Sequence, residues 1–192
     1  MASTPIQKSY LTAEEYLALE RQAEIRSEYI DGEMVAMTGG TSRHSLISMN
    51  VGGELRQQLK QRSCRVYSGD LRVRIPGTGD YVYPDLTIVC GEPLFEDGHH
   101  DILLNPTLIV EVLSPSTESY DRSRKFEGYR TLGSLKEYVL VAQDKPRVEH
   151  YLRQDGHVWL YTDVSGLDSS VSFASIGCQV ALAEIYDKVT FL

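Results

Sequence analysis

Two carboxylates in this chain stand where a carboxylate is costly. Glu111 interrupts the apolar run Leu108-Ile109-Val110-Glu111-Val112-Leu113, which lies between Pro106 and Ser114-Pro115. A run with no polar/apolar alternation reads as a strand buried on both faces. An ionised glutamate there is unfavourable by several kcal/mol unless a cation, a metal or a cluster of donors meets it. Asp85 stands at the mouth of a second apolar strand, Tyr83-Pro84-Asp85-Leu86-Thr87-Ile88-Val89, and a long loop between the two strands lets them lie side by side. Two carboxylates so placed suit Mg²⁺ or Mn²⁺, which take hard oxygen ligands and keep waters for reaction. Such an ion polarises a phosphoryl oxygen and lowers the pKa of a bound water. Lys125 is the third candidate, as a cation that stabilises charge developing on phosphate or orients the attacking water.

Each of these residues also has a plainer reading. Glu111 pairs with a buried arginine, Arg72 or Arg74. Asp85 is a turn aspartate following Pro84. Asp121 and Lys125 form an exposed helix pair of about 0.3–0.5 kcal/mol, with Asp121 also favoured in a first helical turn by the helix dipole. His44 and Glu28 are secondary candidates, a substrate-contacting histidine and a further acid, against a packed histidine and a strand-edge charge. His99-His100 reads as loop. Gly77-Thr78-Gly79 lacks the Gly-Lys-Ser/Thr of a phosphate loop. Ser114 has no suitably placed histidine, and Ser114-Pro115-Ser116-Thr117 reads as the lead-in and cap of a helix.

The elements that must position these groups follow from pattern. Thr12-Ala13-Glu14-Glu15 fits a capping box, so a short helix starts near residue 12. Asp31-Gly32 supplies the positive φ angles of a hairpin turn within Tyr29–Val35. Thr41 or Ser42 caps a helix to about Arg62 with Leu46, Ile47, Val51, Leu55 and Leu59 on its inner face. Strands are expected at 64–68, 71–76, 81–90 and 107–113, with a surface loop from Gly91 to Asn105. A helix is expected from about Ser116 to Leu132, placing Asp121, Lys125 and Tyr129 on one face. Tyr138–Ala142 is another buried strand. A hairpin around Asp155-Gly156, a last strand and a short helix at Ala181–Tyr186 complete a C-terminal β extension. The fold class is α/β, with 1–192 read as one domain.

Composition narrows the function classes. The 192 residues are 42% hydrophobic and 24% charged, ordinary for a globular protein, and no apolar run approaches a bilayer span of roughly 20 residues. Met1–Tyr10 does not resemble a secretory signal. Three cysteines, Cys64, Cys90 and Cys178, with no C-x-x-C pair, read as reduced, mostly buried thiols of a cytoplasmic protein and exclude a cysteine-based zinc site. The net charge of −8 argues against a sequence-independent nucleic-acid binder. A locally basic face remains open, from Arg56, Lys60, Arg62, Arg65, Arg72 and Arg74, or from Arg122, Arg124, Lys125 and Arg130; solvated faces account for these clusters equally well.

Pro84-Asp85 followed by Glu111-Val112-Leu113 resembles the motifs of the PD-(D/E)XK nuclease superfamily. The wider pattern resembles one bacterial branch, the restriction-endonuclease proteins of the Uma-two type. The matching pieces are Glu28-Tyr29-Ile30-Asp31-Gly32-Glu33, His44, Tyr83-Pro84-Asp85, Val110 to Thr117, Asp121 with Lys125 and Tyr129, and Gly133 before Glu137-Tyr138. The resemblance implies a restriction-endonuclease-like mixed β-sheet flanked by helices and Mg²⁺-dependent cleavage of DNA. It implies Asp85 and Glu111 as metal ligands, with the Val112 carbonyl as a possible third. The superfamily motif has lysine two positions after the glutamate; here that position is Leu113, and the resemblance moves the role to Lys125. The expectation is therefore a cytoplasmic, metal-dependent DNA endonuclease, with a homodimer suggested by analogy. The alternatives are a catalytically inactive nuclease-fold module binding DNA or protein, and a hydrolase of smaller phosphoesters.

Overall fold

The computed structural model describes residues 10–155 and 157–191. Helix α1 (Ala13–Glu20) begins at the expected capping box, the Thr12 hydroxyl accepting from the Glu15 N–H and the Glu15 carboxylate from the Thr12 N–H. Strands β1 (Ser27–Ile30) and β2 (Glu33–Ala36) form the expected hairpin, with Asp31 and Gly32 at φ 50° and 80°. Helix α2 (Ser42–Leu59) is capped by Thr41 and buries Ile47, Val51, Leu55 and Leu59. It ends three residues before the expected boundary, and Leu46 is only half-buried.

Strand β3 (Cys64–Ser68) lies where expected, and β4 is confined to Arg72–Arg74. The single strand expected over 81–90 is two: β5 (Tyr81–Val82) and β6 (Leu86–Cys90), which enter different sheets. Pro84 carries no N–H for a ladder and restricts the residue before it, so pairing breaks at Tyr83-Pro84-Asp85. The loop expected from Gly91 to Asn105 contains a short strand, β7 (Ile102–Leu103), parallel to β4. Strand β8 (Leu108–Val112) is buried throughout. The helix expected over 116–132 is interrupted: α3 (Glu118–Tyr120) and α4 (Phe126–Tyr129) flank a π-helical turn, Asp121–Lys125. Strands β9 (Glu137–Val141), β10 (Arg147–Arg153) and β11 (Trp159–Ser165) follow. The tip proposed for the β10–β11 hairpin includes Gly156, which lies outside the described residues. A second hairpin, β12 (Ser170–Phe173) and β13 (Cys178–Ala181), leads into α5 (Leu182–Ile185).

The mixed sheet is six-stranded, ordered β11-β10-β9-β8-β6-β3, with β8 and β9 parallel. A second sheet runs β2-β1-β5-β4-β7, and β12-β13 form the C-terminal extension. One face of the six-stranded sheet, through Leu86, Ile88, Leu108, Val110, Val139 and Val148, packs on α2, the C-terminal hairpin and α5. The other face, through Ile109, Leu113, Tyr138 and Leu140, packs on Tyr129 and on Val73 and Val82 of the second sheet. Alternation along a strand therefore assigns Glu111 to this second face, opposite to Val110 and Val112.

One cysteine reading is overturned. Cys64 and Cys90 are directly opposed on β3 and β6 and joined in a disulfide, not reduced; only Cys178 is a free, buried thiol. The hydrogen bond from Gly91 N–H to Ser63 C=O makes Cys64↔Cys90 a non-hydrogen-bonded pair, the closer of the two antiparallel pairings. Residue counting and spacing do not reveal this, because it depends on strand register.

Candidate active site

The break that separates β5 from β6 also places Asp85. It precedes Leu86, whose partner across the antiparallel pair is Val110, so Asp85 lies beside Glu111 on the same face of adjacent strands. The two carboxylates are held crosswise. Asp85 Oδ2 accepts from the Val112 N–H at 2.7 Å, and Glu111 Oε2 accepts from the Asp85 N–H at 3.4 Å. His44, in the first turn of α2, brings Nε2 to 3.1 Å from the same Asp85 Oδ2. A carboxylate tied this way is not the free turn aspartate of the plainer reading.

Glu111 is 3% exposed. Its Oε1 lies 2.8 Å from Lys125 Nζ and accepts from the Tyr129 hydroxyl at 2.9 Å. The expected arginine partners are engaged elsewhere, Arg72 with Asp101 and Arg74 with Glu96; the buried cation facing Glu111 is Lys125. Lys125 is 6% exposed, so the exposed helix pair with Asp121 is also overturned. Asp121 is itself buried, 3.6 Å from the ammonium, and Glu28 completes the surround at 3.4 Å. The π turn matters here. It adds a residue to one helical turn and brings both Lys125 and Tyr129 onto Glu111 Oε1, while Lys125 keeps its contact with Asp121.

Glu28 and His44 were secondary in sequence and are central in space. Glu28 Oε1 accepts from the Tyr83 N–H at 3.0 Å, so β1 steadies the segment that carries Asp85. The only local signal for His44 is its position three residues after the Thr41 cap, where its N–H donates to the Thr41 hydroxyl at 3.1 Å. The other candidates make no contact with these carboxylates, although Ser114 and Arg124 line the same cleft. His100 stacks on Phe95. The Ser114 hydroxyl bonds those of Ser116 and Thr117, at 3.0 and 2.9 Å, as the lead-in to α3. Arg56, Lys60, Arg62 and Arg65 line a separate groove at the far end of α2, and Arg122 and Arg124 are paired with Glu149 and Asp31.

Burial pushes the Glu111 carboxyl up to about 8, and the neighbouring Asp121 and Asp85 add to the rise against the pull of Lys125. Burial likewise raises Asp121. For Lys125, burial works to lower the pKa, but Glu111, with Tyr129, Glu28 and Asp121, outweighs it and holds the ammonium firmly protonated. The hydrogen bond to Asp85 raises His44. One lysine among four acids leaves this centre short of positive charge.

That shortage is the observation against which a metal is judged. Asp85 and Glu111 offer hard oxygen donors, and none of the hydrogen bonds found among the described residues ends on Asp85 Oδ1. Both backbone groups of a strand residue face the same edge, so Val112, whose N–H meets Asp85, turns its C=O to that side as well. Among the described residues no cluster of three or more His, Cys, Asp or Glu side chains is placed to enclose a metal. The residues therefore fit an open site in which two carboxylates and a carbonyl hold the ion and water or a phosphate oxygen completes its shell. The site opens into a cleft of about 1110 Å³, bordered by Met37–Thr41 and Ser114–Thr117.

Residues 13–183 match the family described as "Uma2: Putative restriction endonuclease". Two proteins of Synechocystis sp., sll1609 and slr1290, both described as uncharacterized, are similar over most of their length. The first is 37% identical over 85% of this chain and 93% of its own, the second 34% identical over 98% and 97%. The crystal structure of a putative nuclease belonging to DUF820 from Anabaena variabilis shares the fold, with a TM-score of 0.77 at 20% identity, over 94% of this chain and 99% of that one.

Proposed function

The chain belongs to the Uma2 family, and on that premise we propose that it is a Mg²⁺- or Mn²⁺-dependent endonuclease of the PD-(D/E)XK type, hydrolysing DNA phosphodiester bonds. The observation that carries the reading is the convergence of Asp85, Glu111 and Lys125 on one end of adjacent strands, at the floor of an open cleft. Asp85, Glu111 and the Val112 carbonyl would hold the ion, which would supply a Lewis acid for a phosphoryl oxygen. His44 and the Val112 N–H orient Asp85. Tyr129 donates to Glu111 and fixes its rotamer. Lys125, permanently charged, neutralises negative charge that builds on the phosphate. Water attacks phosphorus in line as the bond to the leaving oxygen breaks, with no covalent bond between protein and substrate.

The test starts with metal, because the target sequence is unknown. Mn²⁺ is titrated calorimetrically into the wild type, Glu111→Gln and Asp85→Asn, with and without duplex DNA, before plasmid cleavage is assayed. Binding by the wild type and its loss in both variants supports the reading. A folded wild type that gives no metal heat even with DNA present sinks it in favour of a non-catalytic binding module, which the leucine at 113 also favours. Lys125→Met is expected to retain metal binding while DNA cleavage falls roughly 10²–10³-fold, as for loss of one preorganised charge-stabilising donor.

A further inference from the structure

The outer edge of β11 is unexplained by the cleft. β11 ends the six-stranded sheet beyond β10, and among the described residues no strand pairs with its far side. Its register with β10 is unbroken from Arg147↔Ser165 to Arg153↔Trp159, so no bulge twists the edge away. The strand Trp159-Leu160-Tyr161-Thr162-Asp163-Val164-Ser165 contains no proline, lysine or arginine, the usual devices against edge-to-edge pairing. Leu160 and Tyr161, with Val158 just before them, are 53%, 46% and 62% exposed.

The hydrogen-bond phase says which backbone groups are open. Gln154 N–H donates to Val158 C=O, and Gly166 N–H to Pro146 C=O. Alternate residues of an antiparallel strand bond to the same neighbour. Leu160, Thr162 and Val164 therefore face β10, while Trp159, Tyr161, Asp163 and Ser165 direct both N–H and C=O outward, the Ser165 C=O already accepting from the Ser169 hydroxyl at 2.8 Å. These four are symmetric about Thr162. We propose that a second copy of this chain pairs antiparallel on this edge, with the two-fold axis at Thr162, to give one continuous sheet of twice six strands.

Under that symmetry Trp159 pairs with Ser165 of the second copy and Tyr161 with its Asp163, so every outward N–H finds a carbonyl, the Ser165 oxygen being shared with the Ser169 hydroxyl. Leu160 lies against Val164 across the axis. The two Asp163 carboxylates, each held by Arg147 at 2.7 Å, oppose tyrosines and not each other, which avoids the like-charge pairing that destabilises a ladder. A copy of the same strand is thus the occupant this edge matches in length, phase and charge. Three strands, β10, β9 and β8, separate the edge from Asp85 on β6, so pairing leaves the cleft open.

The axis gives a sharp test. Thr162 would face itself in a non-hydrogen-bonded pair, with Cα atoms about 4.5 Å apart, within disulfide reach and in the same relation as Cys64 and Cys90. Thr162→Cys is expected to form a covalent dimer on mild oxidation, whereas Ser172→Cys on β12, also exposed, stays monomeric. Sedimentation of the wild type at micromolar concentration is expected to give a dimer. Tyr161→Pro removes an N–H that the monomer does not use and is expected to abolish the dimer with an unchanged circular dichroism spectrum. A monomeric wild type, a dimer that survives in a folded Tyr161→Pro, or cross-linking of Thr162→Cys no greater than of Ser172→Cys would each overturn the proposal. If Tyr161→Pro fails to fold, the wild-type mass and the cysteine pair decide the matter without it.

Discussion

Glu111 is the residue whose chemistry is most altered by its surroundings. Its carboxyl is raised from an ordinary 4.5 to about 8, first by burial and then by Asp121 and Asp85. Between those values the folded protein holds a proton that the unfolded chain has released, so this contribution to stability is full below pH 4.5 and is lost as pH rises towards 8. His44, also raised, acts in the same direction above its ordinary value. The melting temperature of the metal-free protein is therefore expected to fall across this window, and Glu111→Gln to flatten the fall. A wild-type curve no steeper than that of Glu111→Gln would show that Lys125 keeps Glu111 ionised throughout. His44 has a separate role as an orienting contact on Asp85. Its replacement by alanine is expected to weaken Mn²⁺ binding about 10–100-fold, the usual consequence of losing a group that positions a ligand, with little change in melting temperature. Unchanged metal affinity would reduce His44 to a packing residue.

At the scale of elements, the site is assembled by interruptions of regular structure. Pro84 splits one expected strand into β5 and β6 and leaves Asp85 at the start of the second. The π turn at Asp121–Lys125 splits one expected helix and sets Lys125 under Glu111. The β1–β2 hairpin carries Glu28 to the same centre, and its turn depends on Gly32. At φ 80° an added Cβ would lie 2.9 Å from the Tyr10 ring. Gly32→Ala is expected to lower unfolding free energy by about 1–2 kcal/mol, the usual penalty for a side chain in the left-handed region, measured by chemical denaturation. An equal or higher midpoint would mean that the turn relaxes to another type without disturbing β1.

Across the whole molecule, the six-stranded sheet is the frame from which both faces are built. The C-terminal hairpin is latched to it by Glu137, which accepts from the Ser175 N–H and lies 2.6 Å from His150. The Cys64–Cys90 bond ties the sheet's other edge across a sequence separation of 26. A closed loop of that size stabilises by about 3 kcal/mol in the chain-entropy description. Replacing both cysteines by serine is thus expected to lower the melting temperature by roughly 6–12 °C for a chain of this length. No change would mean that the thiols are reduced in solution. No helix among the described residues is long and apolar enough to cross a membrane, while the disulfide removes the support that unpaired thiols lent to a cytoplasmic reading.

Local rules were enough for much of this. The Thr12 capping box, the Asp31-Gly32 turn, the Thr41 cap and the buried strand around Glu111 each depend on a few adjacent residues, and each formed where its pattern lies. The ordered motifs from Glu28 to Tyr138 were enough for family and fold, and they singled out Asp85, Glu111 and Lys125, which the structure brings together. Beyond the adjacency of the Asp85 and Glu111 strands, residue patterns do not fix which strands become neighbours or in what register. The partner of Glu111 is Lys125 and not an arginine, because a π turn alters the helical phase. Cys64 meets Cys90 because β3 pairs with β6 in one register. His44 reaches Asp85 because α2 packs across the start of β6. These contacts join residues far apart in the chain, and only the packed sheet, by fixing register and face, decides them.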